Sequence, residues 1–138
     1  MANANVKRGS KAERPLSPHL SIYKMPVSMI MSIVHRITGG ALYFGTLVVV
    51  AVLVAAASGP EAYAFVTGLL GSWLGLLVIF GYTWALSHHL AGGIRHFIWD
   101  TGAGYELPTV DFLSWATLAV SVVMTLLIWG YVLLGGAS

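Results

Sequence analysis

The sequence predicts an all-α integral membrane protein with three transmembrane helices, and three observations lead to it. Only 9% of the 138 residues are charged and 57% are hydrophobic, whereas about 25% charged is usual for a soluble domain. No Lys, Arg, Asp or Glu lies between Arg36 and Glu61, between Glu61 and Arg95, or after Asp111, which leaves charge-free runs of 24, 33 and 27 residues. About 20 residues suffice to cross the hydrocarbon core as a helix. The runs are continuously apolar rather than alternating, so helices are favoured over barrel strands. The third observation is where the cations fall: Lys7, Arg8, Lys11, Arg14 and Lys24 all precede the first run.

Residues 1–27 form a polar segment with Glu13, Pro15, Pro18 and Pro26 and no apolar core, so they do not read as a signal peptide. A bacterial inner-membrane protein is the simpler expectation, with a processed mitochondrial chain as the alternative. The spans are expected at about 28–57, 65–97 and 110–135. Residues 58–64 form the first connection and residues 101–109, with Gly102, Gly104 and Pro108, the second. Every Lys and Arg then falls on one side, since Arg36 opens span one and Arg95 closes span two. The excess of cations places the N-terminus in the cytoplasm and the C-terminus in the periplasm. The net charge is +2, and five of the seven cations sit in that anchoring cluster, which points to lipid head groups rather than to nucleic acid.

Polar side chains at membrane depth are costly and call for an explanation. On span one, Ser28, Ser32 and Arg36 recur every four residues with His35 beside them, a spacing that predicts one shared helix face. Gly39 and Gly40 follow, where another body could approach closely. A hydroxyl donor and a guanidinium together suit a small oxygen-bearing ligand such as a quinone. The plainer account is that Arg36 snorkels to head groups and the serines bond back to their own helix.

On span two, His89 and His96 lie seven residues apart, nearly on one azimuth. Ala85, Gly92 and Gly93 stand about one turn to either side of His89 and leave a flat wall for a planar macrocycle. This set fits a b-type haem held by an imidazole nitrogen without covalent attachment. A pair of histidines bonding across helices is the competing account. His88 points about 100° away and is the weaker ligand. A second axial histidine at the same depth is missing, because His35 keeps cationic company better suited to a haem propionate. That gap predicts a partner subunit completing a haem-binding bundle. The chain has no cysteine, which excludes iron–sulfur ligation, a c-type haem attachment and disulfides.

The run Arg14-Pro15-Leu16-Ser17-Pro18-His19-Leu20 and the later Ser32-Ile33-Val34-His35-Arg36-Ile37-Thr38 closely resemble the first signature of the succinate dehydrogenase cytochrome b subunit family. The stretch from His89 through Gly92-Gly93-Ile94-Arg95-His96 to Asp100 resembles its second, and the likeness spans nearly the whole chain. The resemblance implies a membrane anchor and cytochrome b subunit of succinate:quinone oxidoreductase (respiratory complex II). It would share haem b with a second small membrane subunit and take part in ubiquinone reduction. FAD would reside in a partner flavoprotein and the clusters in a partner iron–sulfur protein. By match of residues, His89 would ligate the haem iron, and Ser32 and Arg36 would belong to the quinone site. His35 would lie at a propionate, with Arg95 and His96 as propionate or structural contacts and Gly92 and Gly93 as packing positions. Residues 14–24 would dock on the soluble subunits.

Two rivals remain at the level of residues. A cofactor-free three-span scaffold or assembly subunit would use Gly68, Gly71 and Gly75 as a packing face on span two, but it leaves His89 and the Ser32–Arg36 stripe unexplained. A transporter component is disfavoured because no acidic residue lies deep within a span.

Overall fold

In a computed structural model that describes residues 24–135, the described residues form a bundle of three long helices and one short one. Helix α1 spans Val27–Ser58, α2 spans Pro60–Leu70, α3 spans Trp73–Asp100 and α4 spans Leu107–Gly135. The expected docking of the N-terminal segment, and the signature at residues 14–20, lie outside the described residues apart from residues 24–27.

Helices α1, α3 and α4 are long and apolar enough to cross a membrane. At 1.5 Å per residue the 32-residue α1 is about 48 Å long, so its ends extend beyond a hydrocarbon core of about 30 Å or the helix tilts. The 11 residues of α2 cover only about 16 Å and cannot cross.

The element boundaries differ from the sequence expectation in two places. The second spanning helix starts at Trp73 rather than near residue 65, and residues 60–70 form a separate helix. Gly59 carries a φ of 125°, a conformation that favours glycine, and ends α1. Pro60 then starts α2 at the one position where its missing N–H costs nothing. Ser72 breaks α2 from α3 by accepting a hydrogen bond from the Gly75 N–H at 3.2 Å. A side chain at Gly75 would collide with the carbonyl groups of Leu69 and Leu70, so this tight junction requires glycine there. The Gly68, Gly71 and Gly75 stripe is therefore divided between two helices and a turn.

The second difference is at Pro108, which lies inside the first turn of α4 rather than in the preceding loop. That loop is closed by the Trp99 indole N–H donating to the Gly104 carbonyl at 3.2 Å and the Tyr105 hydroxyl donating to the Trp99 carbonyl at 3.0 Å.

The bundle is polar inside and apolar outside. Met31, Ala55 and Ala85 are the only buried hydrophobic side chains among the described residues. Thr38, Ser87, His88, Arg95, Ser114, Thr117, Ser121 and Thr125 are buried with them. This inversion is what lipid demands, since hydrocarbon tails solvate Leu and Val as well as a protein core would. Small residues let the helices close together. The Tyr82 ring of α3 fills the space left open at Gly45 of α1, where an added Cβ would fall inside the ring.

Gly45→Leu is accordingly expected to destabilise the α1–α3 contact by about 1–3 kcal/mol through overpacking, read as a lower thermal midpoint of the detergent-solubilised protein. Gly81→Ala, where nothing opposes the added methyl, should leave that midpoint in place. Equal midpoints for Gly45→Leu and the parent would count against this packing.

Candidate functional site

Two polar seams run through the bundle, one on each side of α3. The first joins α1 to α3 and gathers three histidines. His35 and His89 lie face to face, with ring centroids 4.0 Å apart and planes within 2°. His96 is 5.0 Å from His35, tilted by 50°, and its far side meets Trp99 edge-on.

Glycine makes this approach possible. A Cβ at Gly92 would strike the His35 ring, and a Cβ at Gly39 would sit 2.9 Å from Cε1 of His89. The wall expected at Gly92 is thus filled by His35, while a Cβ added at Gly93 meets nothing within 4 Å.

The His89 ring is held by its Nδ1, which is 3.1 Å from the His35 carbonyl oxygen and 3.4 Å from Thr38 Oγ1. A carbonyl can only accept, so the proton of the neutral ring resides on Nδ1 and the lone pair on Nε2. A backbone carbonyl fixing one imidazole nitrogen so that the other can bind a metal is a common arrangement at histidine-ligated metals. Thr38, 2% exposed, donates its hydroxyl to the same His35 carbonyl at 2.9 Å.

The Ser28, Ser32, His35 and Arg36 group is split by the helix. His35 turns toward α3, Ser28 and Ser32 are half-buried, and Arg36 is exposed with no hydrogen bond or ion pair among the described residues. The reason is geometric: adjacent residues point about 100° apart, and the rotation of α1 that seats His35 on His89 carries Arg36 outward.

The second seam joins α3 to α4. Arg95, 2% exposed, donates from Nη1 to Ser114 Oγ at 3.2 Å, and its guanidinium carbon lies 5.1 Å from the Trp99 ring centre. Its Nε and Nη2 are buried without a hydrogen-bond partner among the described residues. His88, fully buried, places Nδ1 3.4 Å from Ser121 Oγ. Seven residues back along α3 match seven residues forward along α4, as antiparallel helices require. Near the other end the Trp129 indole donates to Thr83 Oγ1 at 3.3 Å. Interhelical hydrogen bonds inside a bilayer average about 0.6 kcal/mol, so these three set the register more than they set stability. Arg95 therefore faces α4 rather than the three histidines, although it shares a sequence motif with His96.

Sequence reasoning missed Thr38 and the whole α4 face. Its signal was present: Ser114, Thr117, Ser121 and Thr125 recur at steps of three and four in an otherwise apolar run, and all four are buried. For Thr38, one threonine beside two glycines carries no such pattern.

Residues 10–128 match the succinate dehydrogenase/fumarate reductase transmembrane subunit family. Among curated relatives, the succinate dehydrogenase cytochrome b556 subunit of Paracoccus denitrificans is 44% identical over 124 residues, covering 90% of this chain and 93% of that protein. The subunit of the same name from Rickettsia prowazekii (strain Madrid E) is 35% identical over 124 residues, covering 90% and 97%. The mitochondrial succinate dehydrogenase cytochrome b560 subunit of Mus musculus is 36% identical over 121 residues, covering 86% of this chain and 71% of its own length.

Proposed function

Because this chain belongs to the succinate dehydrogenase/fumarate reductase transmembrane subunit family and is a membrane-anchor component of that enzyme complex, we propose that it binds haem b through His89 and contributes Ser32 and Arg36 to a ubiquinone-reduction site. One observation carries the haem reading: the Nδ1 proton of His89 is committed to the His35 carbonyl at 3.1 Å, so Nε2 is free to ligate. Haem at this position would supply a one-electron redox centre inside the membrane.

A further ligand to the haem would be supplied by another small membrane subunit. The His35 and His89 rings are stacked face to face at 4.0 Å, so the two would not hold one iron between them, and His89 would be the ligand this chain supplies. His35 and His96 line the edge of the same site as propionate contacts, and Gly93 leaves room for the macrocycle. Arg95, turned to α4, holds the register of the bundle behind it.

The chain's own residues act on the quinone. Half-buried Ser32 donates its hydroxyl hydrogen to one quinone oxygen and orients the head group. Arg36, exposed and unpaired among the described residues, stabilises the negative charge that builds on that oxygen as electrons arrive. Electrons come from a partner iron–sulfur protein fed by a partner flavoprotein, because a chain without cysteine has no ligands for a cluster of its own. Protons enter from the cytoplasmic side. The cation-rich N-terminal segment lies on that side of a bacterial inner membrane and docks on the soluble subunits, with the C-terminus in the periplasm.

The test is purification in mild detergent, followed by identification of the co-purifying chains and a reduced-minus-oxidised visible spectrum. A flavoprotein, an iron–sulfur protein, a second small integral subunit and b-type absorption bands are the expected result. An intact assembly with no such bands would leave the cofactor-free scaffold as the better description.

A further inference from the structure

Three donors converge on the backbone of α1 at residue 35. In an α-helix the carbonyl of residue 35 ordinarily accepts from the N–H of residue 39. Here the same oxygen also receives the Thr38 hydroxyl at 2.9 Å and His89 Nδ1 at 3.1 Å. A carbonyl oxygen has two lone pairs, so the donors share its electron density. The imidazole reaches this oxygen only because residue 39 is glycine, as its absent Cβ would sit 2.9 Å from His89 Cε1.

We infer that Thr38 and Gly39 are positioning residues for the haem-ligating nitrogen of His89: Gly39 admits the ring to the His35 carbonyl, and the Thr38 hydroxyl limits how strongly that carbonyl draws on the Nδ1 proton. The inference rests on the assignment of His89 as the iron ligand. It goes beyond it by making a buried hydroxyl on α1 a determinant of ligand strength on α3. A stronger acceptor at Nδ1–H gives the imidazole more anionic character and makes Nε2 a more basic ligand. Such a ligand favours ferric over ferrous iron. Thr38→Val removes the competing hydroxyl at nearly constant shape; it also removes the longer 3.4 Å contact of Oγ1 with Nδ1, but the nearer acceptor at 3.1 Å, the His35 carbonyl, then turns more fully to His89. Thr38→Ser keeps the hydroxyl.

The experiment is a potentiometric titration of the haem bands in the intact complex, with low-spin haem content measured alongside. Thr38→Val is expected to lower the ratio of reduced to oxidised haem at a fixed ambient potential by about fivefold, the size expected from one hydrogen bond. Thr38→Ser should titrate like the parent. Gly39→Ala, which separates the ring from the carbonyl, should lower haem content. If Thr38→Val fails to retain haem, Thr38→Ala takes its place, and haem loss in both with retention in Thr38→Ser would overturn the inference, because a stronger ligand should hold the iron at least as well. A Thr38→Val complex with full haem and the parent's titration curve would overturn it, as would a Thr38→Ser complex that behaves like the valine variant. Retention of low-spin haem by His89→Ala is a separate outcome, and it would overturn the ligand assignment itself.

Discussion

His89→Ala is expected to strip low-spin haem from the complex while the three-span chain still inserts into the membrane. The side chain lost is the one whose Nδ1 is anchored at 3.1 Å to the His35 carbonyl, and with it goes the Nε2 lone pair proposed to ligate the iron. Neither His35 nor His88 is placed to replace it. His35 is stacked flat against the vacated position, with its Nδ1 buried against the Gly92 side of α3. His88 points into the α4 seam toward Ser121. Insertion should persist because α3 keeps its length and apolar character and because the Arg95–Ser114 and Trp129–Thr83 bonds of the second seam are untouched. The measurement is haem per complex by pyridine haemochrome, with the co-purifying subunits counted on the same sample. Full low-spin haem in the variant would move the ligand to another residue.

Arg36→Ala is expected to cut succinate:quinone reductase activity by about 10²-fold, the lower end of the cost of removing a donor from a developing negative charge, since this guanidinium is not held in place by a partner among the described residues. Succinate oxidation with a water-soluble dye that accepts electrons upstream of the quinone should survive. The guanidinium is exposed and unpaired among the described residues, so its removal leaves no buried partner unsatisfied, and the loss should fall on chemistry rather than on folding. Arg36→Lys should recover part of the rate, since an ammonium keeps the charge but loses the planar fork. Parallel loss of both activities would make Arg36 an assembly residue instead of a quinone residue.

The two seams differ in how far they could be read ahead of the structure. His89, His96 and the glycines at 92 and 93 stand out because histidine and glycine in clusters are unusual for a spanning helix. On α4 the four hydroxyl residues share a helical face, yet serine and threonine bond back to their own helix at little cost, as the Ser114–Val110 bond at 2.7 Å and the Thr117–Leu113 bond at 2.8 Å illustrate. A stripe of them is therefore a weaker announcement than a stripe of ionisable groups. Arg95 shows the opposite difficulty. It is conspicuous in the chain and adjacent to His96, yet one residue of helical rotation sends it to the other seam.

By itself the sequence determined that this is a three-span membrane protein and which signatures it carries, because charge scarcity and run length are properties of the chain that need no folding to be counted. The tertiary structure alone decided that His35 lies on His89, that Arg36 turns outward, that Arg95 meets Ser114, and that α2 breaks from α3 at Ser72. The physical reason is that in lipid every face of a helix can be apolar. The contrast that tells a soluble helix which side is inward is then nearly absent, and helix rotation is settled only when small residues such as Gly39, Gly45 and Gly92 let particular side chains close against a neighbour.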